Sequence, residues 1–121
     1  MQFFNGPVAG PRSNVKGLPE GNYFTALRYS DNEPYVELRR TAKTATLARV
    51  VVKRDPEWMP DFRVGGFAHH CVNQSSQTWL FDYIDYDDTV RVNARKKGTE
   101  WGHQNTRFVE GTANYFYDYN F

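Results

Sequence analysis

From residue 22 to the C-terminus, side chains alternate with a period of two between turn signals, and this constrains the chain more than any other feature. The stretch "NYFTALRY" sets Tyr23, Thr25, Leu27 and Tyr29 against Phe24, Ala26 and Arg28, then "SDNEP" turns the chain and "YVELRRT" alternates again. Period two is the geometry of a pleated strand with one face inward. The same pattern returns in "TVRVNAR", where Val90, Val92 and Ala94 oppose Arg91, Asn93 and Arg95. It returns in "TANYFYDYNF", where Ala113, Tyr115, Tyr117, Tyr119 and Phe121 oppose Asn114, Phe116 and Asp118.

Turn signals recur about every ten residues, which predicts an all-β single domain: an antiparallel small barrel or sandwich of about seven to nine short strands with little or no helix. The main alternative is a short helix near 37–49, because Leu38, Ala42, Ala45, Arg49 and Val52 fall near helical spacing. The β-branched run "TLARVVVK" and the lack of a helix stop favour a strand over 46–53 instead. Residues 1–21 hold three prolines and four glycines and read as an arm, with Phe3 and Phe4 able to dock it, ahead of a single β domain over 22–121.

Composition narrows the class of partner. Aromatic residues make up 17% of the 121 and the formal net charge is +1, so the chain has ample apolar surface for one core and no global basic excess. A strong non-specific DNA binder usually carries such an excess, which leaves local basic patches as the sites to consider. These fall at Arg39, Arg40 and Lys43, at Lys53 and Arg54, at Arg91, Arg95, Lys96 and Lys97, and at Arg107. A single cysteine excludes an internal disulfide, and no basic start leads into an apolar run. The expectation is an intracellular, cytoplasmic protein that does not engage a membrane.

The densest chemistry lies in "GGFAHHCVNQSSQTWLFDYIDY". If "NQSS" closes a hairpin, Cys71 pairs with Thr78, His70 with Trp79 and His69 with Leu80. His69 and Cys71 then share a face while His70 points away. A zinc site would need His69, Cys71 and a further ligand such as His103 or Asp82, and a Cys–His catalytic pair would need the base within hydrogen-bond reach of the thiol. Neither arrangement follows from the spacing, and no cofactor is expected. The cluster "FDYIDYDD" matches no calcium loop and reads as a charged turn.

Two chemistries remain. Trp79 and Tyr83 offer rings for stacking, and Arg91, Arg95 and Arg107 offer guanidinium forks for phosphate. His70, Asn73, Gln77 and Asn93 supply polar recognition. The set predicts a non-enzymatic β domain that binds a nucleotide-like ligand or single-stranded nucleic acid, suited to a small accessory or inhibitor protein of the kind phages encode. The alternatives are a structural or assembly module of virion type, homo-oligomeric through the aromatic C-terminal strand or the arm with a dimer as the commonest form, and a Cys/His-dependent enzyme.

Overall fold

The computed structural model describes residues 13–65, 68–95 and 100–120. The described residues form nine strands: β1 (Val15–Lys16), β2 (Tyr23–Leu27), β3 (Asn32–Arg40), β4 (Thr44–Arg54), β5 (Phe62–Gly65), β6 (Ala68–Cys71), β7 (Trp79–Ala94), β8 (Glu100–His103) and β9 (Thr106–Glu110). Among the described residues the one helical turn is a 3₁₀ segment, Gln74–Ser76. The architecture is all-β, and the helix alternative over 37–49 is replaced by β3, a turn and β4.

Strand order in the main sheet is β1-β7-β4-β3-β2-β9-β8, and β7 also pairs with β8. That last pairing, Asn93 with Gly102 and Ala94 with Trp101, closes β2, β3, β4, β7, β8 and β9 into an antiparallel ring. The expected choice between barrel and sandwich therefore resolves to a small closed barrel, which leaves its ring strands no open edge at that end.

Alternation in β2 shows how the barrel is filled. Phe24 and Ala26 point inward to Tyr35, Ala45, Leu47, Val92, Trp101 and Phe108. Tyr23 points outward, yet it is buried too, with Val36, Ala48, Val50 and Ala113 and with Leu18, Val52, Phe81 and Ile84 packed against them. The flanking segments before β2 and after β9 thus cover one outer flank of the sheet and create a second core.

One barrel end is closed by charge. The Arg40 guanidinium lies 4.9 Å from the Trp101 ring centroid, and its Nη2 donates to Glu37 Oε1 at 2.7 Å and Glu110 Oε2 at 2.5 Å. Asn22 donates to the same two carboxylates, and Trp101 Nε1 donates to Glu110 Oε1. Burial alone would raise the Glu110 carboxyl, but these hydrogen bonds outweigh it and hold the group below its ordinary range.

Three local expectations are corrected. "DYDD" does not reverse the chain: Ala48 pairs with Thr89 and Arg49 with Asp85, so Tyr86, Asp87 and Asp88 form a bulge inside the 16-residue β7. The continuous partner β4 holds both halves of β7 in line, and the Asp87 N–H turns back onto Asp85 Oδ1. "NQSS" does not join the expected hairpin either, because β6 pairs with β5, matching Cys71 with Phe62 and His70 with Arg63. Asn73 fixes that direction, accepting from the Asp61 N–H and donating to the Met59 carbonyl.

The C-terminal run is the third correction, since its described residues 113–120 form no strand beyond an isolated bridge from Asn32 to Phe116. Side chains satisfy its backbone instead. The N–H groups of Ala113, Asn114, Tyr115, Tyr117 and Tyr119 donate to Ser13, Thr25, Asn14, Gln77 and Gln74 respectively. Its rings turn to the body, Tyr115 against Trp79 and Tyr119 against Trp58 and Phe62. The segment is clamped onto the barrel and offers no continuous edge strand for a neighbour.

The arm divides similarly. Residues 13–21 belong to the body, with Val15 and Lys16 pairing in parallel with Trp79 and Leu80. Phe3, Phe4, Gly66, Phe67, Lys96, Lys97 and Phe121 lie outside the described residues. Among the described residues no helix is long and apolar enough to cross a membrane.

Candidate functional site

The outer faces of β3, β4 and β7 meet in a row fixed by strand register: Arg39 opposite Thr46, and Thr46 opposite Arg91. Cross-strand partners project from the same side of a sheet, so the two arginines flank the threonine. Adjacent rows add Thr44 opposite Asn93 and Thr89 opposite Ala48. The resulting groove, about 380 Å³, is lined by Arg39, Arg40, Thr41, Thr44, Thr46, Thr89, Val90 and Arg91.

Local sequence explains why these side chains stand where they do. Thr41 closes the β3–β4 turn, its Oγ1 accepting from the Thr44 N–H at 3.0 Å, so β4 starts with Thr44 and Thr46 outward and Ala45 and Leu47 inward. On β7, Val90 and Val92 supply the inward face and leave Thr89, Arg91 and Asn93 outside. Among the described residues, three arginines and four threonines line the groove, and no carboxylate does. Among the described residues, neither Arg39 nor Arg91 takes part in an ion pair, whereas Arg40 is held by Glu37 and Glu110. Exposed, unneutralised guanidinium forks beside hydroxyl donors suit a phosphate or another oxyanion.

The predicted ligand residues separate. Arg91 and Asn93 lie at or beside the groove. Arg95 lies close by, its guanidinium folded across the face of Gly102 and donating to the Gln104 carbonyl. Arg107 is paired with Glu100 at 2.9 Å on the β8–β9 hairpin. Trp79 and Tyr83 stand near the other end of β7; Trp79 pairs with Arg54 and Arg91 with Thr46, which sets Trp79 about 26 Å along the ribbon from Arg91. Tyr83 pairs with Val51, between Val50 and Val52 of the outer core, and therefore faces the opposite side of the sheet from Arg91. The two rings and the arginines do not form one pocket.

Two of the predicted amides, Gln77 and Asn73, serve the fold. Gln77 is 2% exposed, and its Nε2 donates to the Gln74 and Tyr117 carbonyls while its Oε1 accepts from Trp79 Nε1 and the Tyr117 N–H. Asn73 is spent on Asp61 and Met59. His69 and His70 are exposed on β6, whereas Cys71 is buried, its thiol directed to Asn73 Oδ1 at 3.4 Å. Among the described residues no three His, Cys, Asp or Glu side chains gather as metal ligands, and His103 sits on β8 in a different sheet from His69 and Cys71.

Sequence reasoning singled out Arg91 and Asn93, named Arg39 only as one of several basic positions, and missed Thr41, Thr44, Thr46 and Thr89. The "T-A-T" alternation opening β4 carries a signal, but only the register that sets Thr46 between Arg39 and Arg91 makes it legible. A second, more apolar recess of about 320 Å³ lies between Thr25, Leu27, Asn32, Val109, Thr112 and Asn114. Comparison with protein-family models, curated proteins and solved structures gave no match.

Proposed function

We propose that this protein is a non-enzymatic binding domain whose ligand is a phosphate-bearing molecule, nucleotide-like or nucleic acid, received on the outer face of β3, β4 and β7. The observation that carries the reading is the Arg39–Thr46–Arg91 row in a groove that, among the described residues, no carboxylate lines. Arginine forks accept phosphate oxygens two at a time, and threonine hydroxyls add neutral donors. A buried, unpaired Cys71 suits a reducing, cytoplasmic setting for such a domain. Binding without turnover suits an accessory or inhibitor role, in which occupying the ligand is the effect.

The test is a thermal-shift series at low salt with ATP, inorganic pyrophosphate and a short oligonucleotide. At least one of these raises the melting temperature of the wild type, and the Arg39→Ala/Arg91→Ala double variant keeps its own melting temperature but loses the response. No response to any of them, or an unchanged response in the double variant, overturns the reading.

A second reading, assembly through β5–β6, draws on Phe62, Val64 and Val72, which leave apolar side chains exposed on and beside that hairpin. Sedimentation over a hundredfold concentration range separates the two: assembly through this face predicts a mass that grows with concentration and falls back in Val64→Lys.

A further inference from the structure

We infer that the ligand of this groove is a single strand of nucleic acid, held by its sugar–phosphate backbone and bound without regard to base. The inference rests on the phosphate-binding reading above and narrows it. The groove offers what a backbone needs and little that a base needs. Among the described residues its lining holds guanidinium forks and hydroxyls and no aromatic ring. The neighbouring ring, Trp101, is buried beneath Arg40 and already stacked by it. A mononucleotide seated here would gain phosphate contacts and leave its base unsupported over solvent. Base stacking on an aromatic side chain is worth about 1–3 kcal/mol in single-strand binders, and that contribution is missing here.

A polymer changes the balance, because each further phosphate meets a further cation. Arg39 on β3, Lys43 in the β3–β4 turn, Arg91 on β7 and Arg95 at the end of β7 are exposed on strands that adjoin through β4 and β7. Among the described residues, none of the four is in an ion pair. Arg39 and Arg91 are separated by one intervening strand, which sets their Cα atoms about 10 Å apart across a floor of Thr44 and Thr46. That is a channel walled on both sides and wide enough for one backbone. Among the described residues Asn93, opposite Thr44, is the one amide beside it, too few polar groups to read a sequence of bases.

The experiment is fluorescence anisotropy with 5′-labelled twelve-nucleotide dT and dA strands, titrated at several salt concentrations. Unlabelled ATP, pyrophosphate and a twelve-base-pair duplex serve as competitors. The dT and dA strands bind within about threefold of each other, and log K falls with log salt at a slope of about −2 to −3, the value for three or four phosphate contacts on a single strand. Arg39→Ala and Arg91→Ala each flatten that slope by about 0.7, and Lys43→Ala does the same from outside the groove lining. ATP and pyrophosphate compete only at more than a hundredfold excess over the strand. If either small anion binds as tightly as the strand, this inference falls and the phosphate-binding reading stands. A duplex that binds as well as the single strand, or a tenfold preference between dT and dA, also overturns it. If no phosphate ligand binds at all, both fall together.

Discussion

Asn14 holds Tyr115 by both backbone groups: its Oδ1 accepts from the Tyr115 N–H at 2.9 Å and its Nδ2 donates to the Tyr115 carbonyl at 2.7 Å. A side-chain amide thus does what a neighbouring strand would do, and the same Nδ2 reaches the Gln77 carbonyl at 3.1 Å. Asn14→Leu removes these bonds and leaves half-buried backbone groups without partners, so a loss of about 2–3 kcal/mol is expected in urea unfolding. A midpoint within error of the wild type would show that the C-terminal segment is held by its rings alone.

Asp55 ties the segment before β2 to the far end of the β4–β7 ribbon, and its ionisation gives the fold a pH dependence. Lys16 Nζ at 2.8 Å, the Glu57 N–H at 3.0 Å and the Thr78 hydroxyl at 2.7 Å hold its carboxyl down to about 2. An unfolded aspartate titrates near 3.9. The folded value is the lower one, so the stabilisation is complete above about pH 4 and is lost as pH falls through about 2. Asp55→Asn is therefore less stable than the wild type at pH 7, and the gap narrows between pH 4 and 2. A gap that stays constant over that window would contradict the ionic account. Denaturant titrations at pH 7, 4, 3 and 2 make the comparison.

Gln77 makes four hydrogen bonds from one buried amide, which leaves it no capacity for a ligand. Gln77→Ala strands the Tyr117 carbonyl and N–H and the Trp79 indole N–H, while the Gln74 carbonyl keeps the backbone N–H of residue 77, with an expected cost of about 2–4 kcal/mol. Gln77→Glu keeps the acceptors but turns an oxygen towards the Gln74 and Tyr117 carbonyls, so it also destabilises the fold. Neither variant changes the affinity of the groove for phosphate ligands once measured under folding conditions. A selective loss of binding in a stable Gln77 variant would restore it to the site.

The parts of the fold legible in the sequence are those where one strand face is buried against solvent on the other. In β4, Ala45 and Leu47 alternate with Thr44 and Thr46, and in β7 Val90 and Val92 alternate with Arg91 and Asn93. Periodicity alone marks these as strands with polar outer faces. The C-terminal run alternates just as clearly, yet its backbone is satisfied by Ser13, Asn14, Thr25, Gln74 and Gln77. All of these lie about 40 or more residues away in sequence, so no local pattern reports them. "DYDD" carries turn chemistry and spends it on a bulge, because β4 continues past it on both sides. The candidate site was half legible: Arg91 and Asn93 share a strand face, but their partners Arg39, Thr44 and Thr46 come from other strands, and only the register joins them.

Cys71 gives a check on the catalytic alternative. It is buried, its thiol points to Asn73, and its backbone N–H and carbonyl are both taken by the Asn120 amide, at 2.8 and 2.9 Å. Nucleophilic cysteines need exposure and a nearby base. The thiol is expected to react with a colorimetric disulfide reagent at least a hundredfold more slowly in the native protein than in urea, and Cys71→Ala binds phosphate ligands as the wild type does. Fast native modification, or binding lost in Cys71→Ala, would count for the catalytic reading instead.

The central claim concerns where a phosphate ligand lands, and amide chemical-shift mapping tests it most directly. In ¹H–¹⁵N spectra recorded as a twelve-nucleotide dT strand is added at low salt, the resonances that move are expected to be those of Arg39–Thr46 and Thr89–Asn93, with the Arg39 and Arg91 side-chain Nε–H signals among the largest changes. Shifts concentrated instead on Trp58–Val64 and Tyr115–Asn120, with Arg39–Thr46 unmoved, would contradict the assignment of the site.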